Sequence, residues 1–208
     1  MNTVAIYDAL MEMKSRTWLH SFSFECSREI LEKSVREFRA DYLRWFPDAV
    51  PFERDFRATP PLIGILCYRI SHNINLLYGS TREADAFSLL GREIGQIEIY
   101  YSATIGEAFK INHGIGTVIG ARCRIGDNCT IHQNCTIGDR NGGRPTIGNN
   151  VTIYAGAMIL GDITIGDDCI IGANSVVTQS YPAGSVIGGT PAKIIKKRYE
   201  TQTDFNGH

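Results

Sequence analysis

The chain has 208 residues, 43% of them apolar, and a formal net charge of −1. This length suits one or two domains, and a balance so near neutral argues against nucleic acid or an anionic membrane surface as partner. No apolar run approaches the roughly 18 residues that a membrane-spanning helix needs. Met1 to Lys14 carries Asp8 and Glu12 where a signal peptide would be basic and then apolar, so a cytoplasmic protein is expected. From Ser27, Leu31, Val35, Phe38, Tyr42 and Trp45 fall at steps of four and three, on one stripe of a helix capped by Ser27 and ended by Pro47 and Pro51. A second helix is predicted from about Pro61 to Leu77 and a third from about Arg82 to Ile94, with Gly79, Ser80 and Thr81 as the turn between them. Residues 1–94 therefore read as a helical domain, whose apolar stripe suits either the open end of a neighbouring element or a second copy.

From Ile105 to Val177 an aliphatic residue recurs every six residues, usually followed by Gly, as at Ile119-Gly120, Ile125-Gly126 and Ile165-Gly166. Two residues before the aliphatic comes a small side chain, as at Ala103, Thr117, Cys123, Cys129, Cys135, Ala157, Cys169 and Ser175. A hexapeptide period is the signature of a parallel β-helix: each unit supplies a short strand and a corner, and three units make a coil. Residues 95–195 are assigned to this prism and 196–208 to a polar tail. The repeat cysteines sit at inward positions and read as small buried hydrophobes of a reducing compartment, not as disulfides or ligands.

The period breaks twice. Eight residues separate Ile111 from Ile119, and the extra length carries His113, a side chain that can take and return a proton near neutral pH. Ten residues separate Ile137 from Ile147, and this Gly-rich insertion carries Arg140 and Arg144, suited to an anionic group. Counting units puts Ile131 one coil above Ile111, so His132 and His113 share a face. A zinc site there would need a third histidine, and His20, His72 and His208 all lie outside the repeat, so no metal is expected.

Asn112-His113-Gly114-Ile115-Gly116, Glu98-Ile99 before it, Tyr68-Arg69-Ile70-Ser71-His72 and Gly189-Thr190-Pro191-Ala192-Lys193 together resemble the serine acetyltransferase family over roughly residues 55–197. The resemblance implies a left-handed β-helix, a homotrimer or dimer of trimers, and active sites in grooves between subunits. It implies acetyl-CoA as co-substrate and direct transfer to the hydroxyl of L-serine, a step of cysteine biosynthesis. In that reading His113 is the general base and Glu98 its orienting carboxylate, while Asn112, Arg144 and His132 border the acceptor. Ala155, Gly156, Gly172, Ala173, Ala192 and Lys193 match the family's coenzyme A positions.

Three departures accompany the resemblance. The family commonly has Asp where this chain has Asn112, and an Arg-His pair where it has Gly143-Arg144, which keeps a sugar hydroxyl in polysaccharide biosynthesis open as the alternative acceptor. Its tail often ends in an isoleucine that inserts into cysteine synthase, whereas this chain ends at His208, so no such complex is expected.

Overall fold

A computed structural model describes residues 3–22, 24–48 and 55–198. Among them four helices precede the repeat: α1 (Thr3–Ser15), α2 (Arg28–Trp45), α3 (Pro60–Tyr78) and α4 (Arg82–Gly95). Ser27 caps α2 as its position predicts, its hydroxyl accepting from the Ile30 amide at 3.3 Å. α1 has no counterpart among the predicted elements. Its buried side chains are only Ile6, Ala9 and Leu10, too short a stripe to stand out in the sequence. Pro51 and residues 199–208, including His208, lie outside the described residues. Among the described residues no helix is long and apolar enough to cross a membrane.

The repeat forms a left-handed parallel β-helix of about four turns. The first coil contains β1 (Glu98–Ile99), β2 (Thr104–Ile105) and β3 (Lys110–Ile111), and the second β4 (Val118–Ile119), β5 (Arg124–Ile125) and β6 (Thr130–Ile131). β7 (Thr136–Gly138), β8 (Thr146–Ile147) and β9 (Thr152–Ile153) follow, then β10 (Met158–Leu160), β11 (Thr164–Ile165) and β12 (Ile170–Ile171). β13 (Val176–Val177) and β14 (Ser185–Gly188) begin a last coil, and β15 (Lys193–Lys197) turns back antiparallel to β14. Three sheets result, one per face: β1-β4-β7-β10-β13 on the first, β2-β5-β8-β11 on the second, and β3-β6-β9-β12-β14-β15 on the third.

Strict register explains the period. On the first face Ile99, Ile119, Ile137, Ile159 and Val177 stack inward, and on the third Ile111, Ile131, Ile153, Ile171 and Ile187 do the same. Burying each such side chain contributes about 1.5–3 kcal/mol relative to exposure. The small residues two places earlier fill what space remains, and several also donate hydrogen bonds to carbonyls of the next coil. Cys129 Sγ donates to the Gly148 carbonyl at 3.1 Å and Cys135 Sγ to that of Tyr154 at 3.2 Å. Burial raises both thiols, Cys129 to about 11, so they remain protonated donors.

The helical part seals the first coil, one of the two uses its stripe allows. Tyr68 Oη donates to the Ala103 carbonyl at 2.9 Å and accepts from the Ile105 amide at 3.0 Å. Arg69 donates to the Ile105 and Gly106 carbonyls at 2.7 and 2.6 Å and forms a two-pronged pair with Asp41 of α2 at 2.9 and 3.0 Å. Asp41 also accepts from the Phe109 amide at 2.8 Å. Both charges are buried, Asp41 completely. Removing one member of such a pair strands the other charge, so Asp41→Ala is expected to lower stability by about 3–5 kcal/mol in chemical denaturation. The double variant Asp41→Ala/Arg69→Met is expected to regain a large part of that loss.

Candidate active site along one corner of the prism

The chain passes from the third face to the first at residues 112–117, 132–135, 154–157 and 172–175, and these passages stack. The Asn112 amide donates to the Ile131 carbonyl at 2.8 Å, the His132 amide to Ile153 at 2.9 Å, Tyr154 to Ile171 at 2.9 Å, and Gly172 to Ile187 at 2.8 Å. One edge of the prism therefore carries Asn112 and His113 at its foot, His132 above them, then Ala155 and Gly156, then Gly172 and Ala173. Ala192 lies over the top of this edge, its amide bonded to the Val176 carbonyl at 3.0 Å, and Lys193 begins the exposed β15. The bulge that the eight-residue step predicts is thus the start of the edge on which most of the sequence candidates meet.

His113 is exposed, with φ at +65°. The regular left-handed position of this corner is filled by Gly116, Asn134, Gly156 and Asn174 in successive coils, so the positive φ of His113 belongs to the bulge itself. Gly114 follows at φ +69°, where a Cβ would fall 2.7 Å from Ile97 Cγ2 and 3.4 Å from Pro61 Cγ. His113 thus stands where the corner rests on the residue before Glu98 and on the start of α3. Glu98 itself pairs with Arg92 of α4 at 3.5 Å, an interaction the sequence reading missed, and among the described residues no hydrogen bond joins it to His113.

His132 is half-buried. Its Nε2 lies 3.4 Å from Asn112 Nδ2, and its ring stacks on Tyr154 with centroids 5.0 Å apart and planes at 29°. Burial lowers its pKa below the ordinary histidine value, and His113 and Lys110 add to the effect. Tyr154 is absent from the sequence candidates. The count of units that stacks His132 over the first passage reaches Tyr154 as well, once the ten-residue step is allowed for. Among the described residues no group of three or more His, Cys, Asp and Glu is arranged to hold a metal.

Arg144 is not brought to this edge. The insertion leaves β7 and enters β8, so it occupies the corner between the first and second faces. It is a closed turn, with Arg140 and Gly143 bridged and Asn141 and Gly142 at positive φ. Arg144 braces it, pairing with Asp139 and donating to the Ala121 and Gly143 carbonyls, both at 3.0 Å.

The upper edge carries a ledge of small residues, Ala155, Gly156, Gly172 and Ala173. At Gly156 a Cβ would meet Asn174 Oδ1 at 2.2 Å, so nothing larger can stand there without shifting the coil above.

An exposed histidine at the foot of a ledge of small residues, on a prism of hexapeptide coils, fits the class of hexapeptide-repeat transferases. The family model described as bacterial transferase hexapeptide (six repeats) matches residues 144–179. The serine acetyltransferase of Helicobacter pylori is 42% identical over 144 residues, covering 66% of this chain and 82% of its own. The solved serine acetyltransferase of Brucella abortus superposes with a TM-score of 0.74 at 24% identity, covering 90% of this chain and 82% of that one, a likeness of fold. That of Neisseria gonorrhoeae, solved in complex with serine, gives 0.70 at 27% identity, covering 81% and 74%. The chain belongs to the serine acetyltransferase family and is an acyltransferase.

Because Arg144 holds the insertion closed from within, Arg144→Ala is expected to open that turn alone. Hydrogen exchange should quicken across residues 139–145 while the amides of the stacked corner at 132–135 keep their protection.

Proposed function

We propose that this chain is an acetyl-CoA-dependent serine O-acetyltransferase, acting in cysteine biosynthesis. The observation that carries the reading is the exposed His113 at the foot of an edge whose upper coils present Ala155, Gly156, Gly172 and Ala173. An extended thioester laid along that ledge has its reactive end directed to the histidine. The relatives favour serine over a sugar hydroxyl as acceptor: the H. pylori protein is a serine acetyltransferase, and the N. gonorrhoeae enzyme has been solved with serine.

The chemistry is direct transfer. An unprotonated ring nitrogen of His113 takes the proton of the acceptor hydroxyl as its oxygen bonds to the thioester carbonyl carbon. When the carbon–sulfur bond breaks, the imidazolium returns that proton to the leaving sulfur, so an ester and a free thiol result. The repeat cysteines offer no competing nucleophile, because they are buried and their thiols are raised. Glu98 is assigned as the carboxylate that orients the ring. Its pairing with Arg92 is exposed and screened, so turning away from it costs little. Free thiols at all six cysteines suit a reducing, cytoplasmic setting.

Arg144 and His113 sit on different corners of one chain, which favours a trimer. With three prisms side by side, the insertion of one subunit meets the histidine corner of the next, and Arg144 is assigned to the acceptor carboxylate there once its side chain exchanges Asp139 for the substrate. Above Glu98, the outward residues Val118, Thr136, Met158 and Val176 of the first face are uncharged and suit such packing.

Purified protein is expected to release thiol from acetyl-CoA when L-serine is supplied, and silence with serine would overturn the acceptor. His113→Ala is expected to lower kcat/KM by about 10²–10⁴-fold, and full retention would overturn the base. Sedimentation at micromolar concentration should give three times the chain mass of 23.1 kDa or a multiple of that, and a monomer would refute the trimer.

A further inference from the structure

Register lays two columns of residues along the edge. Asn112, His132, Tyr154 and Gly172 hold one place in successive coils, each amide bonded to a carbonyl of the coil above. Beside them run Ile115, Gln133, Ala155 and Ala173: the Asn134 amide donates to the Ile115 carbonyl at 2.9 Å, Gly156 to Gln133 at 3.0 Å and Asn174 to Ala155 at 2.9 Å. Tyr154 breaks the rule of the upper edge. It is a large ring, 42% exposed, among Ala155, Gly156, Gly172 and Ala173. A ring free to turn would obstruct little, but this one is held from below by its stack on His132. Its backbone is held as well, since the Tyr154 carbonyl accepts from the Cys135 thiol at 3.2 Å. Gly172, next in the column, adds no side chain above it. At the foot of the neighbouring column Ile115, two residues after His113, presents an apolar side chain that is 58% exposed.

We infer that Tyr154 sets the length of the acyl group: backed by His132, its ring walls off the space beside the histidine corner that carbons beyond acetyl would need. The inference rests on the acetyl-CoA reading and deepens it by naming what limits the donor to two carbons. Neighbouring strands lie about 4.8 Å apart, so a thioester that descends from Gly172 toward His113 carries its acyl end past Tyr154 within the last coils. A methyl group on that carbonyl fits against Ile115, whereas a longer chain meets the aromatic wall. The wall does not yield cheaply. Moving the ring aside gives up its stack on His132 and forces side chains from their staggered positions, and such overpacking costs about 1–3 kcal/mol. Ala or Gly at the same place, as elsewhere on the ledge, would leave that space open.

Thiol release by the full-length protein from acetyl-, propionyl- and butyryl-CoA, each with saturating L-serine, tests the wall. Wild-type kcat/KM is expected to fall about tenfold or more with each added methylene, the scale on which a close-fitting site distinguishes one carbon. Tyr154→Ala is expected to shrink the acetyl-to-butyryl ratio by about tenfold or more, through a rise with butyryl-CoA relative to acetyl-CoA. Tyr154→Phe keeps the ring and its stack, and should keep the wild-type ratio. All three donors meet one preparation, so a general loss of folded or active enzyme cancels from the ratio. A wild type that uses butyryl-CoA as readily as acetyl-CoA overturns the role of Tyr154 and leaves the functional reading standing. A Tyr154→Ala ratio equal to that of the wild type does the same, including the case in which the serine KM alone changes and the ring belongs to the acceptor. A wild type that releases no thiol from any of the three donors with L-serine overturns the functional reading and this inference together.

Discussion

The Arg69–Asp41 pair is the joint on which the rest of the molecule depends. A β-helix presents at its first coil a row of backbone groups with no coil beneath, and unpaired buried polar groups are costly. Arg69 answers for two of those carbonyls, and Asp41 for the Phe109 amide, while each neutralises the other. Two charges taken out of water gain little net stability by themselves. Their effect here is one of placement: they fix α2 and α3 against β2 and β3, and thereby bring Pro61 to the turn that follows His113.

The edge that carries the candidate site is a consequence of the same register. Because every coil repeats the last, side chains from residues far apart in sequence stand in one column, and chemistry can be distributed along it. The foot holds His113 and a polar pair of Asn112 and His132 with Tyr154 stacked above it, whereas the upper edge is mostly small, with Ala155, Gly156, Gly172 and Ala173 beside the exposed Asn174. A polar end beside a bare ledge suits a pair of substrates of which one is compact and charged and the other long and thin.

What was legible in the sequence follows from how regular the physics is. The prism could be read in detail, since each inward Ile and each small residue two places earlier obeys a fixed rule, and the structure buries them as that rule demands. The capped helix from Ser27 was equally legible, its stripe being long enough to show. α1 was not, because two apolar residues four apart are common in any helix or loop. At the site, stacking could be counted and His132 followed from it, but side-chain choices could not. Nothing in the spacing reveals that Glu98 turns to Arg92, that Arg144 folds back on Asp139, or that His132 lies flat on Tyr154. Those depend on rotamers and on local competition between partners. Which corner the ten-residue insertion occupies was available from the same count that placed His132, and it separates Arg144 from His113 within one chain.

The reversal at β15 has a further consequence. Coils of this type can in principle stack without limit, each leaving a parallel edge that the next chain could join, so an open end is a template for filaments. At the last coil the chain runs back against β14, which occupies that edge with a strand of the opposite direction. The new border carries Lys193, Lys196 and Lys197, all exposed. Like charges set along a strand of the wrong polarity make the third face a poor docking edge for a second solenoid.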